Sequence, residues 1–408
     1  MSKVILFNPR SANSKHRIPN SILQVGASIE GRYDYVFVDG NLEKDPLQKI
    51  KSYLSSGEFK YFGCTVMPGL QPKQAIPFTK KVREEFPQVI NIWGGYFPAN
   101  QYKAVLNSGY VDYVINGPGD EAFPQLIDSL ERNSDPSLIK NLIFKRNGEF
   151  IKTPKADLLD QDLLPTLPYE KLNKFYPIRN YLGKTFLGTK TAAYHSSVGC
   201  PFTCSFCAVV PIYEARWKGK SAPLIYKDVK YLKDEYGANA VEFHDNNFFV
   251  SEKRTVEFSK LINDCNFSIE YKKFDFNIPI EEQGFSPNSI DVVWGVNAIH
   301  VAYDLRFTLK EIFRLLKDNG SLIVSETVRA IGNKMIQQEL ILNTLDDYWN
   351  VKIDKDIRPI HGFMEWSNWV NALKAAGYSD VKTIPDMKYL ESQYDNCYVA
   401  VIRGLKNH

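Results

Sequence analysis

Three cysteines within eight residues carry the strongest chemical signal in the chain. The stretch Gly199-Cys200-Pro201-Phe202-Thr203-Cys204-Ser205-Phe206-Cys207 spaces them Cys-x3-Cys-x2-Cys. Thiolates are the usual protein ligands of iron–sulfur clusters, and a [4Fe–4S] cube held by three of them keeps one iron open to a non-protein ligand. The same sulfurs also suit zinc with a distant fourth ligand, such as His195 or Cys265. Thr191 to Val198, just before the loop, reads as a strand, and a strand's carboxyl end is where βα units place their chemistry.

The rest of the chain sets the frame for that loop. A length of 408 residues predicts two or three domains. The composition, 44% hydrophobic and 24% charged, is that of a globular protein. A net charge of +3 leaves no nucleic-acid footprint. No apolar run approaches the roughly 18 residues of a membrane span. Met1-Ser2-Lys3 runs straight into a strand-like segment, without a signal-peptide core. Six cysteines in so long a chain do not form a disulfide framework, so a reducing, cytoplasmic setting is expected.

Residues 1–150 alternate short apolar runs with amphipathic stretches. Strands are expected at Val4 to Phe7, Tyr35 to Asp39, Tyr61 to Val66, Val89 to Trp93 and Asp112 to Ile115. Helices are expected from Pro19 to Ile29, Lys73 to Phe86 and Glu121 to Leu130. Continuous apolar strands separated by helices predict a doubly wound parallel sheet, whose ligands sit beyond the strands' carboxyl ends. Those ends carry Asn8-Pro9, Asp39-Gly40-Asn41, Met67-Pro68-Gly69, Gly94-Gly95 and Asn116-Gly117-Pro118-Gly119. Asn147-Gly148 predicts a hairpin turn, and residues 151–188 read as a linker or wrapped arm.

The cysteine spacing, the proline after the first cysteine and the aromatic before the third resemble the radical S-adenosylmethionine enzymes. The resemblance implies that Cys200, Cys204 and Cys207 hold a [4Fe–4S] cluster and that the open iron binds S-adenosylmethionine. It also implies that Phe206 packs on the cluster or the adenine. Ala240-Val241-Glu242-Phe243 and the following His244-Asp245-Asn246-Asn247-Phe248-Phe249 resemble the family's second strand and its acidic turn. Glu242, His244 and Asp245 then become candidate contacts to the ribose or amino group; read without the family, the run is a turn held by its own side chains. Two βα units are legible between 189 and 270, with a third strand at Phe267 to Lys272, so the expected partial βα barrel is truncated.

The first 150 residues resemble the cobalamin-binding, flavodoxin-like domain that precedes many radical S-adenosylmethionine domains. The matching pieces imply cobalamin contacts from Asn8, Asp39, Gly94, Gly95, Gly117 and Gly119. The Asp-x-His-x-x-Gly motif is absent, because Asp39 is followed by Gly40-Asn41-Leu42, so no histidine from here would ligate cobalt.

From about residue 271 the chain resembles the second half of a class I S-adenosylmethionine-dependent methyltransferase of the kind found within polyketide synthases. The run from Thr308 to Leu316, Lys317-Asp318-Asn319-Gly320 and the strand ending at Glu326 carries the likeness, with Trp366 and Leu373 later. It implies that Asp275 meets the adenine and that Asn297 and His300 lie beside the methyl donor. After residue 270 glycines occur singly, so the Gly-rich turn that holds the methionine end is missing. A C-terminal partial Rossmann-like sheet is expected over 271–408.

Two incomplete catalytic modules therefore meet near 265–275, as in a fusion or deletion product. The expected activity is cobalamin-dependent radical chemistry, such as C-methylation of a small molecule, with an electron donor such as a flavodoxin or ferredoxin. A class I methyltransferase or a non-catalytic cobalamin and iron–sulfur binding protein are the alternatives.

Overall fold

Val4 to Phe7 are buried on both sides because the strand they form lies inside a sheet covered by helices on both faces. The computed structural model describes residues 2–12, 16–185, 188–204, 207–263, 274–296, 298–329, 351–384, 387 and 397–407. They belong to two units, Met1–Tyr271 and Lys272–His408.

The first unit opens with β1 (Lys3–Asn8), α1 (Asn20–Ile29), β2 (Tyr35–Asp39), α2 (Pro46–Leu54) and β3 (Phe59–Thr65). Then follow α3 (Pro72–Glu85), β4 (Ile90–Gly94), α4 (Tyr96–Asn100), α5 (Tyr102–Asn107), β5 (Tyr113–Ile115) and α6 (Gly119–Glu131). The hairpin β6 (Leu142–Arg146) and β7 (Glu149–Lys152) completes a seven-stranded sheet in the order β2-β1-β3-β4-β5-β6-β7. Strands β1 to β5 are parallel, and the hairpin adds antiparallel to β5. Asn147 and Gly148 both take left-handed φ, as the favoured two-residue hairpin turn requires. The order reverses between β1 and β3, which places a crevice at their carboxyl ends. Alternate residues serve the two faces: Val4 and Leu6 pack with Leu23 and Leu126, Ile5 and Phe7 with Ile50 and Val82.

Beyond the hairpin, the expected arm carries α7 (Tyr169–Phe175). The strand expected from Thr191 to Val198 is broken at His195-Ser196 into β8 (Thr191–Tyr194) and β9 (Ser197–Gly199). Then come α8 (Val210–Tyr213), β10 (Trp217–Gly219), α9 (Ala222–Tyr236), β11 (Ala240–Phe243) and α10 (Glu252–Asn263). β8 pairs with β11 in parallel, and β9 pairs with β10 antiparallel. The stretch Tyr213 to Lys220 reads from sequence as a solvated charged loop; β10 within it is instead a paired strand. Ser221 caps α9 by accepting from Leu224 N at 3.4 Å, and Gly237 at φ +74° ends the helix. Phe267 to Lys272 lie outside the described residues.

The second unit holds β12 (Ile290–Val296), α11 (Leu305–Leu315), β13 (Leu316–Arg329), α12 (Trp366–Ala375), β14 (Ser379–Ile384) and β15 (Cys397–Leu405). Its sheet runs β12-β13-β15-β14, with β12 parallel to β13 and the other pairs antiparallel. Leu309, Ile312, Leu322, Val324, Trp369 and Ile402 form its core. The helix expected from Thr308 to Leu316, closed by Lys317-Asp318-Asn319-Gly320, runs from Leu305 to Leu315, and Leu316 already pairs with Ile290. The left-handed residue of that turn is Asn319, not Gly320. Gly377 does end its helix as expected, at φ +101°.

Candidate functional site

The cysteine loop leaves β9 through Gly199, whose φ is +75°. A Cβ there would lie 2.1 Å from the Arg216 carbonyl oxygen across the β9–β10 pair, so glycine alone fits this exit. Cys200 and Cys207 are half-buried and Cys204 is exposed; all three are free thiols. The Cys207 amide donates to the Cys204 carbonyl at 3.1 Å, which folds the loop back on itself. Burial, then the neighbouring Cys207 and Cys200, push the Cys204 thiol above its ordinary range. Phe206 and Cys265 lie outside the described residues. Among the described residues no three metal-ligating side chains already converge on one point.

The loop rests on α4: Asn100 Nδ2 donates to the Ala208 carbonyl at 3.1 Å, and Tyr96 packs on Tyr213. Tyr96 also donates to Asn246 Oδ1 at 3.0 Å, beyond β11. The predicted β11 residues are brought beside the loop's root. Asp245 accepts from Ser196 N at 3.0 Å and from the hydroxyls of Ser196 and Ser197. Its carboxylate therefore braces the residues that lead into the cysteines. Glu242 accepts from Arg17 Nε at 3.0 Å and lies 3.5 Å from His244 Nε2. His244 and Arg17 hold the Glu242 carboxyl below its usual range despite opposing burial. The His195 ring stands edge-on to His244 at 5.8 Å, and Asn20 Nδ2 reaches its Nδ1 at 3.3 Å. His195 is exposed, and among the described residues it does not join the cysteines in a metal-binding group.

The other predicted residues gather at the carboxyl edge of the seven-stranded sheet. Asp39 is fully buried and accepts from Asn8 Nδ2 (2.9 Å), Asn41 N (3.1 Å), Asn41 Nδ2 (2.9 Å) and Tyr181 Oη (2.6 Å). Asn8 Oδ1 in turn accepts from Gln71 Nε2 at 3.0 Å. Gly95, at φ +101°, is closed by protein, since a Cβ there would lie 2.7 Å from the Val66 carbonyl oxygen. Gly117, at φ +148°, faces the Asn141 side chain at 3.0 Å in the same way. A Cβ at Gly94 would make an ordinary contact, 3.8 Å from Ile115, whereas one at Gly119 would crowd Val25 at 3.3 Å.

Lys155 lies at the same edge and donates from Nζ to the Asn116 carbonyl at 2.5 Å. Burial, then Lys152, lower its amine to about 8. A lysine whose folded pKa is lowered binds fewer protons folded than unfolded, so stability rises with pH between about 8 and 10. Urea titrations of wild type and Lys155→Met read this directly. The variant should gain about 1 kcal/mol near pH 7, after allowance for solvent screening, and lose that advantage by about pH 10.

In the second unit the turn after β12 folds onto the end of β13. Glu326, with its side chain fully buried, accepts from Ala298 N at 3.0 Å and Ile299 N at 2.7 Å. Its other oxygen lies 2.7 Å from His300 Nδ1. Phe363 stands edge-on to the imidazole at 5.5 Å, and Arg358 donates to the His300 carbonyl at 2.6 Å. A buried carboxylate on Nδ1 fixes the tautomer and leaves Nε2 as the basic nitrogen. Sequence reading named His300 but missed Glu326 as its partner; an acid ending one parallel strand beside the turn ending its neighbour was the available signal. Asp275 is exposed and caps its own turn, accepting from Asn277 N at 2.9 Å. Asn297 lies outside the described residues.

A family model described as "Methyltransferase domain" matches residues 253–324. An uncharacterized methyltransferase of Pyrococcus horikoshii is 23% identical over 277 residues, covering 66% of this chain and 59% of that protein. An anaerobic magnesium-protoporphyrin IX monomethyl ester cyclase of Synechocystis sp. is 25% identical over 190 residues, covering 46% and 36%. The chain therefore spans less than two thirds of these relatives' lengths. Among solved structures, the cobalamin-dependent S-adenosylmethionine radical enzyme OxsB gives a TM-score of 0.54 at 14% identity, covering 78% of this chain and 43% of that one. The radical S-adenosylmethionine methyltransferase TsrM from Kitasatospora setae gives 0.51 at 12% identity, covering 92% and 66%. At these identities the structural likeness is one of fold. The chain is a mixed α/β protein that shares its fold with cobalamin-dependent radical S-adenosylmethionine enzymes and matches a methyltransferase domain over residues 253–324.

Proposed function

We propose that the first unit binds an iron–sulfur cluster and S-adenosylmethionine, and that the chain derives from radical methyl-transfer enzymes acting on a small molecule. The observation that carries this reading is the cysteine loop: three free thiols on one folded loop at the end of β9, beside the β8–β11 pair. Its donor set suits a [4Fe–4S] cluster, being soft and threefold on one loop. When bound, such a cluster supplies one electron to the sulfonium of S-adenosylmethionine. The protein's own part is to hold and orient. Cys200, Cys204 and Cys207 would ligate, and Asp245 would fix the loop's root. Glu242 and His244 would offer a carboxylate and a ring nitrogen at the adjoining strand end.

Cobalamin is supported by the fold alone. Asn8 and Asp39 spend their hydrogen bonds on protein partners, and Gly95 and Gly117 are closed by protein atoms. These residues fit a structural role.

Anaerobic reconstitution of the full chain with iron and sulfide tests the reading. Wild type should bind about four irons, and Cys204→Ala should lose at least nine-tenths of them. Wild type without iron would exclude the proposal.

A second reading rests on His300 and Glu326. That dyad has the arrangement of a general base able to take a proton from an acidic carbon or hydroxyl as a methyl group is transferred to it. Methyl transfer from S-adenosylmethionine that survives Cys204→Ala but is lost in His300→Ala would favour it.

A further inference from the structure

We infer that Arg254 is the positioning residue of the cysteine loop, fixing the loop's root before any metal arrives. This rests on the cluster reading above and names the part of the chain that makes the loop competent.

Arg254 lies in α10, 47 positions after Cys207, and is only 6% exposed. Its guanidinium reaches three separate segments. NH1 donates to the Ser196 carbonyl at 3.1 Å and to the Ser196 hydroxyl at 2.9 Å. NH2 donates to the Phe248 carbonyl at 2.7 Å. The guanidinium carbon sits 5.2 Å from the Trp217 ring centre and 4.7 Å from that of Phe248. Ser196 is fully buried and is also gripped by Asp245. Four pieces are thereby joined around one cation: the entry to β9, strand β10, the turn after β11, and α10.

Physical chemistry makes arginine specific here. The planar fork serves carbonyl acceptors on two segments at once and stacks between two rings, which a lysine ammonium cannot do. Asp245 supplies a nearby carboxylate that balances the buried charge. Gly219 leaves the space: a Cβ there would lie 2.7 Å from the Trp217 ring and 3.0 Å from Arg254 NH1. The lock ends three residues before Gly199, whose left-handed φ starts the cysteine loop. Releasing Arg254 therefore frees the root of the loop while leaving the sheet of β1 to β5 untouched.

The test uses the full chain and the variants Arg254→Gln and Arg254→Lys. Without metal, each is pulsed with iodoacetamide and the modified cysteines are mapped by mass spectrometry. Cys64, 3% exposed in the core of the seven-stranded sheet, is the internal monitor of folding. Labelling of Cys200 and Cys207 in Arg254→Gln should rise at least fivefold, with Cys64 still protected and Arg254→Lys between the two. After reconstitution, the electron paramagnetic resonance signal of the reduced cluster is titrated with S-adenosylmethionine, and half-saturation should move up about tenfold in Arg254→Gln. Unchanged labelling and an unchanged titration would overturn the inference while leaving the cluster reading intact. Labelling that includes Cys64 would overturn it differently, by showing that Arg254 supports the whole unit rather than the loop. Wild type that binds no iron would remove the cluster reading, and the inference with it.

Discussion

Asp39→Ala should lose about 3–5 kcal/mol of unfolding free energy, read as a drop in the urea midpoint at unchanged slope. Asp39 is fully buried and accepts four hydrogen bonds from Asn8, Asn41 and Tyr181. Deleting the carboxylate leaves those donors buried without an acceptor, at about 1–3 kcal/mol for each that water cannot reach. Burial works the other way by raising the carboxyl's own pKa, so part of the loss is offset by removing a costly buried charge. Asp39→Asn separates the two effects. It keeps one carbonyl acceptor for Asn8 and Asn41 and requires only that Tyr181 turn its hydroxyl, so the loss should fall below about 2 kcal/mol. If Asp39→Ala instead melts like wild type, the network contributes nothing net and Asp39 becomes available for a ligand.

Helix and strand alternation in the first 150 residues follows from continuous apolar runs, and the strand order 2-1-3-4-5 is one such runs commonly adopt. Asn8 and Asp39 end the two neighbouring strands β1 and β2, so they were legible as residues that share an edge. Their partner Tyr181 was not, because it arrives from an irregular arm 142 positions away that carries no periodic signal. The same limit hid Arg254, which a periodic reading assigns simply to a helix. Gly377 was legible as a helix stop, while Gly320 misled because the left-handed position passed to Asn319 next to it. Local chemistry showed in the sequence; long-range pairing did not.

The cysteine loop and the His300 dyad are alike in one respect. Each follows a strand of a parallel pair, β8 of β8–β11 by way of β9 in one unit and β12 of β12–β13 in the other. Each also relies on a buried acid to hold the preceding backbone, Asp245 at Ser196 and Glu326 at Ala298 and Ile299. A carboxylate accepting backbone N–H groups makes strong charge-assisted bonds and fixes the turn that carries the reactive side chain. The two acids differ in what they leave for chemistry. Asp245 holds Ser196 and Ser197, whereas Glu326 touches His300 itself.

Glu326→Ala should therefore have the largest effect in the second unit, about 3–5 kcal/mol. The Glu326 side chain is fully buried and accepts from the amides of Ala298 and Ile299 while holding His300 Nδ1. Removing one partner of a buried, hydrogen-bonded network costs far more than the net worth of the contact, because the remaining donors stay out of water. Glu326→Gln keeps one carbonyl oxygen for the amides but offers Nδ1 an amide group in place of a carboxylate. It should retain most of the stability and lose the fixed tautomer. Thermal melts resolve the first effect, and nitrogen-15 chemical shifts of His300 resolve the second by reporting which ring nitrogen carries the proton. A dyad built for proton transfer predicts a changed tautomer population in Glu326→Gln with the fold intact. A purely structural carboxylate predicts that the melt moves and the imidazole does not.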